Sequence, residues 1–177
     1  MREILFRGFH GNENGKETIY INGKEIKGKW VYGDLVKCMT DNGECIGIKD
    51  TIYEVNTNRC NLIPNIVIPE TVGQYTGLTD KNGKKIFEGN IVNFIGMVGQ
   101  IVFEGGSFGI AFQKQIDWDK FENEIKLYTR CDNLACVCFN DNFVSLWEIY
   151  WNFNEEDNSL GLVEIVGNIH DNKLEDF

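Results

Sequence analysis

The stretch that decides the fold is residues 67–94, VIPETVGQYTGLTDKNGKKIFEGNIVNF. Pro69 interrupts an extended run near its start, because a proline fixes φ and cannot donate a ladder hydrogen bond. The sequences DKNG at 80–83 and GN at 89–90 are typical of tight turns, since Gly and Asn accept positive φ angles at low cost. Short apolar runs separate these turns. The stretch therefore predicts short strands that reverse direction at each turn.

The rest of the chain largely repeats this pattern. The pair NG at 22–23 is a hairpin signal, and GG at 105–106 separates two apolar runs. Ile26 and residues 29–36 are predicted as strands around the glycines at 28 and 33. Nineteen glycines against two prolines favour many tight turns between short elements. We therefore expect a mainly β protein with a minor α component.

Residues 117–153 have a different pattern. Four large apolar side chains in 117–130 recur at spacings of three, four and three: Trp118, Phe121, Ile125 and Tyr128. That spacing places them on one face of a helix. Residues 144–153, which include three further large aromatics (Trp147, Tyr150 and Trp151), fit either a helix or a strand. We expect one or two short helices in 117–153.

Two segments of the chain are similar to each other. NGKEI at 22–26 and NGKKI at 82–86 are each followed by a short strand sequence. One explanation is that hairpin chemistry repeats itself in β proteins. The other is a pair of subdomains built on the same unit. We expect an N-terminal β subdomain at 1–66 and a C-terminal subdomain at 67–177 that carries an acidic helical insertion.

Charge is distributed unevenly along the chain. The net charge is −10, from 17 Lys and Arg against 27 Asp and Glu. Residues 113–177 hold 5 basic and 14 acidic residues, a net of −9, which leaves −1 for residues 1–112. Such a region repels a phosphate backbone, because nucleic-acid affinity comes from basic groups that release counterions. An acidic region of this kind commonly keeps a protein soluble. The alternative is that it forms a surface that docks onto a basic partner.

The N-terminus and the cysteines indicate a reducing compartment. The segment MREILFRGFH at 1–10 has no apolar signal core, and no apolar run reaches the roughly 18 residues that a membrane span needs. We therefore expect a cytoplasmic protein with no membrane partner. Its six cysteines are expected to remain free thiols.

A metal site is the alternative use of the cysteines. Cys131, Cys136 and Cys138 lie close together in the sequence, and two of them with a distant pair such as Cys38 and Cys45 could supply four thiolates. Structural zinc sites more often use two pairs with two to four intervening residues. Buried free cysteine is the commoner outcome. We therefore expect no metal and no cofactor.

No catalytic constellation is evident in the sequence. The two histidines are His10 and His170, and the spacing of His170 from Cys60 or Cys138 does not indicate a nucleophilic pair. Carboxylate pairs in 117–124 are expected on a solvated face. The chain also lacks a phosphate-binding G-x-x-x-x-G-K-[ST] loop. We therefore expect no catalytic residues and no enzymatic activity.

Nucleic-acid binding by a small barrel is the main alternative function. It would use a mixture of aromatic and basic side chains: Tyr75, Phe87, Phe94, Phe103, Lys81, Lys84 and Lys85. The favoured interpretation is that the aromatics form a core and the lysines solvate a turn, so nucleic acid is not the expected partner. For a partner contact the sequence suggests Gln74, Tyr75 and Thr76. A buried structural role for Tyr75 is the favoured alternative.

Four blocks of the sequence together resemble the YopX-like family of bacteriophage and prophage proteins. They are GKWVYGDLV at 28–36, IPETVGQYTGLTDKNGKKIFEGNIV at 68–92, GQIVFEGGSFGI at 99–110 and VEIVGNIHDN at 163–172. Their order and spacing also match. The resemblance implies a mostly β fold with a small SH3-like barrel in the C-terminal half, and no established activity. It transfers no catalytic or metal residues.

The chain departs from the family pattern in two places. The family usually has Asp at the position of Asn90, and Asn keeps the turn while removing a charge. The N-terminal part is longer, and residues 11–26 resemble an inserted hairpin.

These inferences predict a phage or prophage accessory protein that acts as a non-enzymatic protein-interaction module. Its partner would be a phage or host protein, with a basic partner favoured by the acidic region. Self-association into a homo-oligomer is left open. The expected location is the cytoplasm of the bacterial host.

Overall fold

The computed structural model describes residues 3–41, 43–49, 64–114, 142–152 and 159–171 of the chain. In this part, the chain forms thirteen strands, one short α-helix and one 3-10 turn. The protein is therefore mainly β, which confirms that part of the predicted fold class. The helix predicted at 117–130 lies outside the described residues.

The chain divides into two compact units. Unit 1 comprises Met1–Tyr75 and His170–Asn172, and unit 2 comprises Thr76–Ile169 and Lys173–Phe177. The predicted subdomain boundary between residues 66 and 67 stays a prediction, because compactness alone does not show that either part folds by itself.

Strand β3 is the centre of unit 1. The strands of this unit are β1 (Phe6–Gly11), β2 (Glu17–Ile21), β3 (Lys24–Thr40), β4 (Gly43–Lys49), β5 (Asn65–Ile66) and the start of β6 (Gly73–Asp80). Strand β3 pairs antiparallel with β1, β2 and β4. Strand β5 pairs with β4, and the first residues of β6 pair with β1. The 17 residues of β3 form one strand, whereas the sequence predicted two.

Gly28 explains why β3 continues through a predicted break. A Cβ at Gly28 would lie 2.2 Å from the carbonyl oxygen of His10 on β1. Gly28 therefore permits close approach of the two strands and does not end one. The predicted hairpin before β3 is confirmed, since Asn22 and Gly23 have φ angles of 50° and 75°, as a type I′ turn requires.

The core of unit 1 gathers around Val31, Ile48 and Val67. The chain then enters the 3-10 turn at Pro69–Thr71, where the missing N–H of the proline is not needed. The hydroxyl of Thr71 accepts a hydrogen bond from the N–H of Phe9 (2.8 Å). The predicted interruption of the extended run at Pro69 takes the form of this turn.

Unit 2 is built on a five-stranded antiparallel sheet. After β6, its elements are β7 (Lys85–Phe87), β8 (Asn90–Phe94), β9 (Met97–Glu104), β10 (Ser107–Phe112), β11 (Phe143–Ser145), helix α1 (Leu146–Asn152), β12 (Ser159–Leu160) and β13 (Val163–Asn168). The sheet has the spatial order β11-β10-β9-β8-β13. Strands β8 to β10 form a meander, as predicted. In the described residues the edge strands β11 and β13 do not pair with each other, and no closed barrel is formed.

Asp80 joins the predicted DKNG turn to β13. Its carboxylate is fully buried. Oδ1 accepts hydrogen bonds from the N–H groups of Asn82 and Lys84, both at 2.9 Å, and Oδ2 accepts one from the N–H of Ile165 at 3.1 Å. Gly83, with φ of 76°, completes the turn.

Both polar atoms of the buried Asn90 side-chain amide form hydrogen bonds. Oδ1 accepts a hydrogen bond from the N–H of Phe87 at 2.7 Å, and Nδ2 donates to the carbonyl of Gly167 at 3.4 Å. An aspartate at this position would keep the first hydrogen bond and lose the second.

Among the described residues, no helix is both long enough and apolar enough to cross a membrane.

Candidate protein-binding surface

The candidate surface begins where β11 passes directly into α1. Strand β11 pairs with β10, and the ring of Phe143 covers Gly109, where an added Cβ would lie 2.2 Å from Phe143 Cζ. Ser145 caps the helix, because its Oγ accepts the N–H of Trp147 at 3.2 Å. The sheet and the cap thus determine where α1 lies and where it begins.

Helix α1 has a buried face and an exposed face. Leu146 and Ile149 belong to the core of unit 2, and Tyr150 packs against that core. Trp147 and Trp151 are four positions apart, so they share a helix face, and they are 62 % and 60 % exposed. A seven-residue helix is not stable alone in water. The two buried aliphatic side chains therefore hold α1 in place while the tryptophans remain in solvent.

The aromatic rings of α1 contact one another. The ring centroids of Trp147 and Trp151 are 5.3 Å apart in an edge-to-face arrangement. Tyr150 lies 6.4 Å from Trp147 and 5.9 Å from Trp151. These distances fall in the range of favourable aromatic pairs. We call these three side chains the tryptophan face.

Two exposed tryptophans on an anchored helix are unusual for a purely structural element. Apolar surface costs about 25 cal/mol per Å² to leave in water, and clustered exposed apolar groups mark binding sites. Tryptophan is also among the residues that most often dominate binding energy at protein interfaces. Phe103 of β9 is exposed as well, at 55 %, with its ring against Phe108 at 5.0 Å.

The sequence around the tryptophan face is acidic. Residues 131–172 contain no Lys or Arg, and they contain eight acidic residues: Asp132, Asp141, Glu148, Glu155, Glu156, Asp157, Glu164 and Asp171. Glu148 lies between the two tryptophans along α1. Glu164 forms an ion pair with Lys81 at 2.6 Å. Carboxylates and the faces of indole rings both attract cations.

The predicted contact residues Gln74, Tyr75 and Thr76 lie on β6. Tyr75 and Thr76 are only 6 % and 7 % exposed, and Gln74 is half-buried. The N–H of Tyr75 donates to the carbonyl of Leu5, and the hydroxyl of Thr76 donates to the carbonyl of Ile86. The burial of Tyr75 matches the structural alternative that was favoured for it. A contact role for the three residues stays a prediction.

The predicted mixture of aromatic and basic residues is divided between core and surface. Tyr75, Phe87 and Phe94 are buried, and Phe103 is exposed. The three lysines are exposed beside the turn after β6: Lys81, Lys84 and Lys85. Only one of the four aromatic rings is therefore available to stack on a base.

A second cluster of polar and aromatic side chains lies around Arg7 in unit 1. The Arg7 guanidinium is buried and lies 4.9 Å from the ring centroid of Trp30. Burial lowers the pKa of Arg7 to about 10, against the opposing charges of Tyr32 and Asp171, so the group stays cationic at neutral pH. The ring of His170 lies 6.3 Å from Trp30. The cation–π contact is one interaction that stabilises the buried charge, and no catalytic role is assigned to the cluster.

Within the described ranges, no group of three or more His, Cys, Asp or Glu side chains could hold a metal ion. Cys38 and Cys45 are free thiols on neighbouring strands. The other cysteines considered for zinc or catalysis lie outside the described residues: Cys60, Cys131, Cys136 and Cys138. The expected absence of a metal, a cofactor and catalytic residues stays a prediction.

The tryptophan face was not among the sites predicted from the sequence, although a signal for it was available. Leu146 and Ile149 are three positions apart, and Trp147 and Trp151 are four apart. On a helix these spacings define two different faces. The helical state itself was left open between helix and strand, so the faces were not assigned.

Comparison with protein families gives a match over most of the chain. The model of a protein family described as YopX protein matches residues 5–134, which is more than half of the chain. A search of the curated proteins finds no match. The matched region includes β1 to β10 and ends before β11 and α1. The tryptophan face therefore lies outside the part of the chain that the family model describes.

Proposed function

Since the chain belongs to the YopX protein family, we propose that it is a phage or prophage accessory protein acting in the cytoplasm of a bacterial host. It is not an enzyme on this proposal. It works by binding another protein, and the tryptophan face is the centre of the contact.

The observation that carries the proposal is the exposure of Trp147 and Trp151 on a helix anchored through Leu146 and Ile149. The rings already contact one another, so little side-chain freedom is lost when a partner covers them. Truncating a buried tryptophan at the centre of an interface commonly costs about 2 kcal/mol or more. Two such side chains are enough to dominate a modest interface.

The partner is a basic protein on this proposal. The absence of Lys and Arg from residues 131–172 gives this part of the chain one sign of charge. Lysine and arginine side chains of a partner would gain from the carboxylates and from the indole faces together. A second copy of the chain carries the same net charge of −10 and is repelled. Nucleic acid is repelled for the same reason.

For unit 2 we further propose that the sheet is a variant of a small SH3-like barrel. Its five antiparallel strands, with a central meander and with β13 returning to the edge of β8, support this comparison. An experimental structure of the full chain in which these strands form a flat sheet would contradict it.

The test is differential capture from a lysate of the bacterium that carries the gene. Three forms of the full chain are immobilised: wild type, the double variant Trp147→Ala/Trp151→Ala, and Phe103→Ala. Phe103 is a matched control because it is an aromatic residue of the same unit with similar exposure. The lysate is applied with and without nuclease treatment, and retained proteins are identified by mass spectrometry.

We expect a basic protein to be retained by wild type and by Phe103→Ala, and to be lost with the double variant. Raising the salt concentration should release it, because charge contributes to the contact. Equal retention by all three forms would place the contact elsewhere on the molecule. Retention that disappears on nuclease treatment would favour the nucleic-acid alternative instead.

A further inference from the structure

Cys38 and Cys45 stand directly opposite each other on the antiparallel strands β3 and β4. Opposed residues in such a pair have Cα atoms about 4.5–5.5 Å apart. Disulfides span Cα distances of about 4.4–6.8 Å. Both side chains are free thiols. The backbone therefore already holds the two cysteines at a separation that a disulfide can bridge.

The two thiol groups are also turned toward each other's strand. Cys38 Sγ lies 3.5 Å from the carbonyl oxygen of Cys45, and Cys45 Sγ lies 3.3 Å from the carbonyl oxygen of Cys38. A side-chain hydrogen bond between the thiols raises the pKa of Cys45. Both residues are half-buried, so a small solute can reach them.

We propose that Cys38 and Cys45 form a reversible dithiol–disulfide site that reacts with small disulfides such as oxidised glutathione. The thiolate of one cysteine attacks the small disulfide, which forms a mixed disulfide and releases one small thiolate. The second cysteine, as its thiolate, then attacks the protein sulfur of the mixed disulfide and releases the other small thiolate. The protein loses two electrons and two protons. The small disulfide gains both electrons, and its thiolates take up the protons.

The bond is also accessible to a reductant, because both cysteines are half-buried. Accessible disulfides are the labile ones, so the site returns to the dithiol when reduced glutathione is in excess.

The experiment uses the full chain and maps this one pair by digestion. The protein is incubated with oxidised glutathione, quenched with an alkylating reagent, and cut with trypsin and with a protease that cleaves after glutamate. Cleavage after Lys37, Glu44 and Lys49 places Cys38 on the peptide 38–44 and Cys45 on the peptide 45–49. The two peptides stay joined only if a disulfide links them.

We expect the joined pair to replace both alkylated peptides and to revert when reduced glutathione is added. Its rate of formation should rise with pH, because the thiolate is the reacting species. The variant Cys38→Ser should instead show glutathione attached to Cys45. Continued alkylation of both cysteines in the wild type would overturn the proposal. Separate glutathione adducts, or bonds to other cysteines of the chain, would also overturn it. None of these outcomes depends on the tryptophan face.

Discussion

Single residues connect distant segments of unit 2, and Asp80 is one of them. Its buried carboxylate accepts three backbone N–H groups from two segments that are distant in sequence. Asp80→Ala leaves all three donors unsatisfied, so we expect the free energy of unfolding to fall by about 3 kcal/mol or more. Urea unfolding followed by circular dichroism measures the loss.

Asp34→Ala is the matched control for Asp80, because Asp34 is an exposed aspartate on β3. Its free energy of unfolding should stay within about 0.5 kcal/mol of wild type. A change below about 1 kcal/mol for Asp80→Ala would mean that water replaces the carboxylate, contrary to the buried network described for the wild type.

We expect His170 to make the stability of the fold depend on pH. Burial, together with the positive charge of Arg7, lowers the pKa of His170, although a hydrogen bond and charge from Glu70 oppose this. The unfolded chain therefore binds the proton first as the pH falls below about 6.5. Stability from the neutral imidazole is complete above that pH and is lost on acidification.

The measurement for His170 compares unfolding curves of wild type and His170→Gln between pH 7.5 and 5, taken as roughly the range in which a histidine titrates. We expect the free energy of unfolding to fall more steeply with decreasing pH in wild type. Because only one proton is involved, the slopes of the two curves can differ by at most about 1.4 kcal/mol per pH unit. Parallel curves for the two proteins would show that His170 titrates alike in the folded and unfolded chains.

At the scale of elements, the contact between Gly109 and Phe143 positions β11 and therefore α1. A methyl group at Gly109 would meet the Phe143 ring at 2.2 Å. We expect Gly109→Ala to lower the free energy of unfolding by about 1–3 kcal/mol through this clash. Gly11→Ala is the control, because its added Cβ lies 3.7 Å from Ile26 Cγ2, an ordinary contact. Equal effects of the two substitutions would contradict the close packing of Phe143 on β10.

The elements that the sequence predicts well are those governed by local backbone chemistry. Asn22-Gly23 and the DKNG turn adopt the expected conformations because Asn and Gly accept positive φ angles. The turn at Ile95-Gly96 does not follow these residue preferences. Ile95 has a φ angle of 52°, which a residue with a branched Cβ rarely adopts. Its side chain packs against the core of unit 2, and that long-range contact compensates for the unfavourable backbone.

Two further elements depend on contacts that local sequence does not encode. Strand β3 runs through Gly28 because β1 approaches it closely at that point. Helix α1 follows from the burial of Leu146 and Ile149 against the sheet, together with the Ser145 cap. A run that is apolar on most sides fits both a helix and a strand until its neighbours are known. The tryptophan face was therefore not predicted from the sequence, although its three aromatic residues were identified there.

Across the whole molecule, a mainly β fold carries an acidic sequence region and exposed aromatic side chains. Family membership was predicted from four sequence blocks and is confirmed by the match to residues 5–134. The acidic character of residues 113–177 was evident from composition alone. The proposal of a basic protein partner rests on this charge together with the exposed tryptophans.

The most direct test of this claim is the affinity of the captured basic protein for the full chain, measured by isothermal titration calorimetry. We predict at least tenfold weaker binding to Trp147→Ala/Trp151→Ala, equivalent to about 1.4 kcal/mol, and a change of less than about twofold for Phe103→Ala. Wild-type affinity should fall as salt is added. Equal affinity of all three forms for the partner, or no basic protein retained by the wild type, would contradict the account.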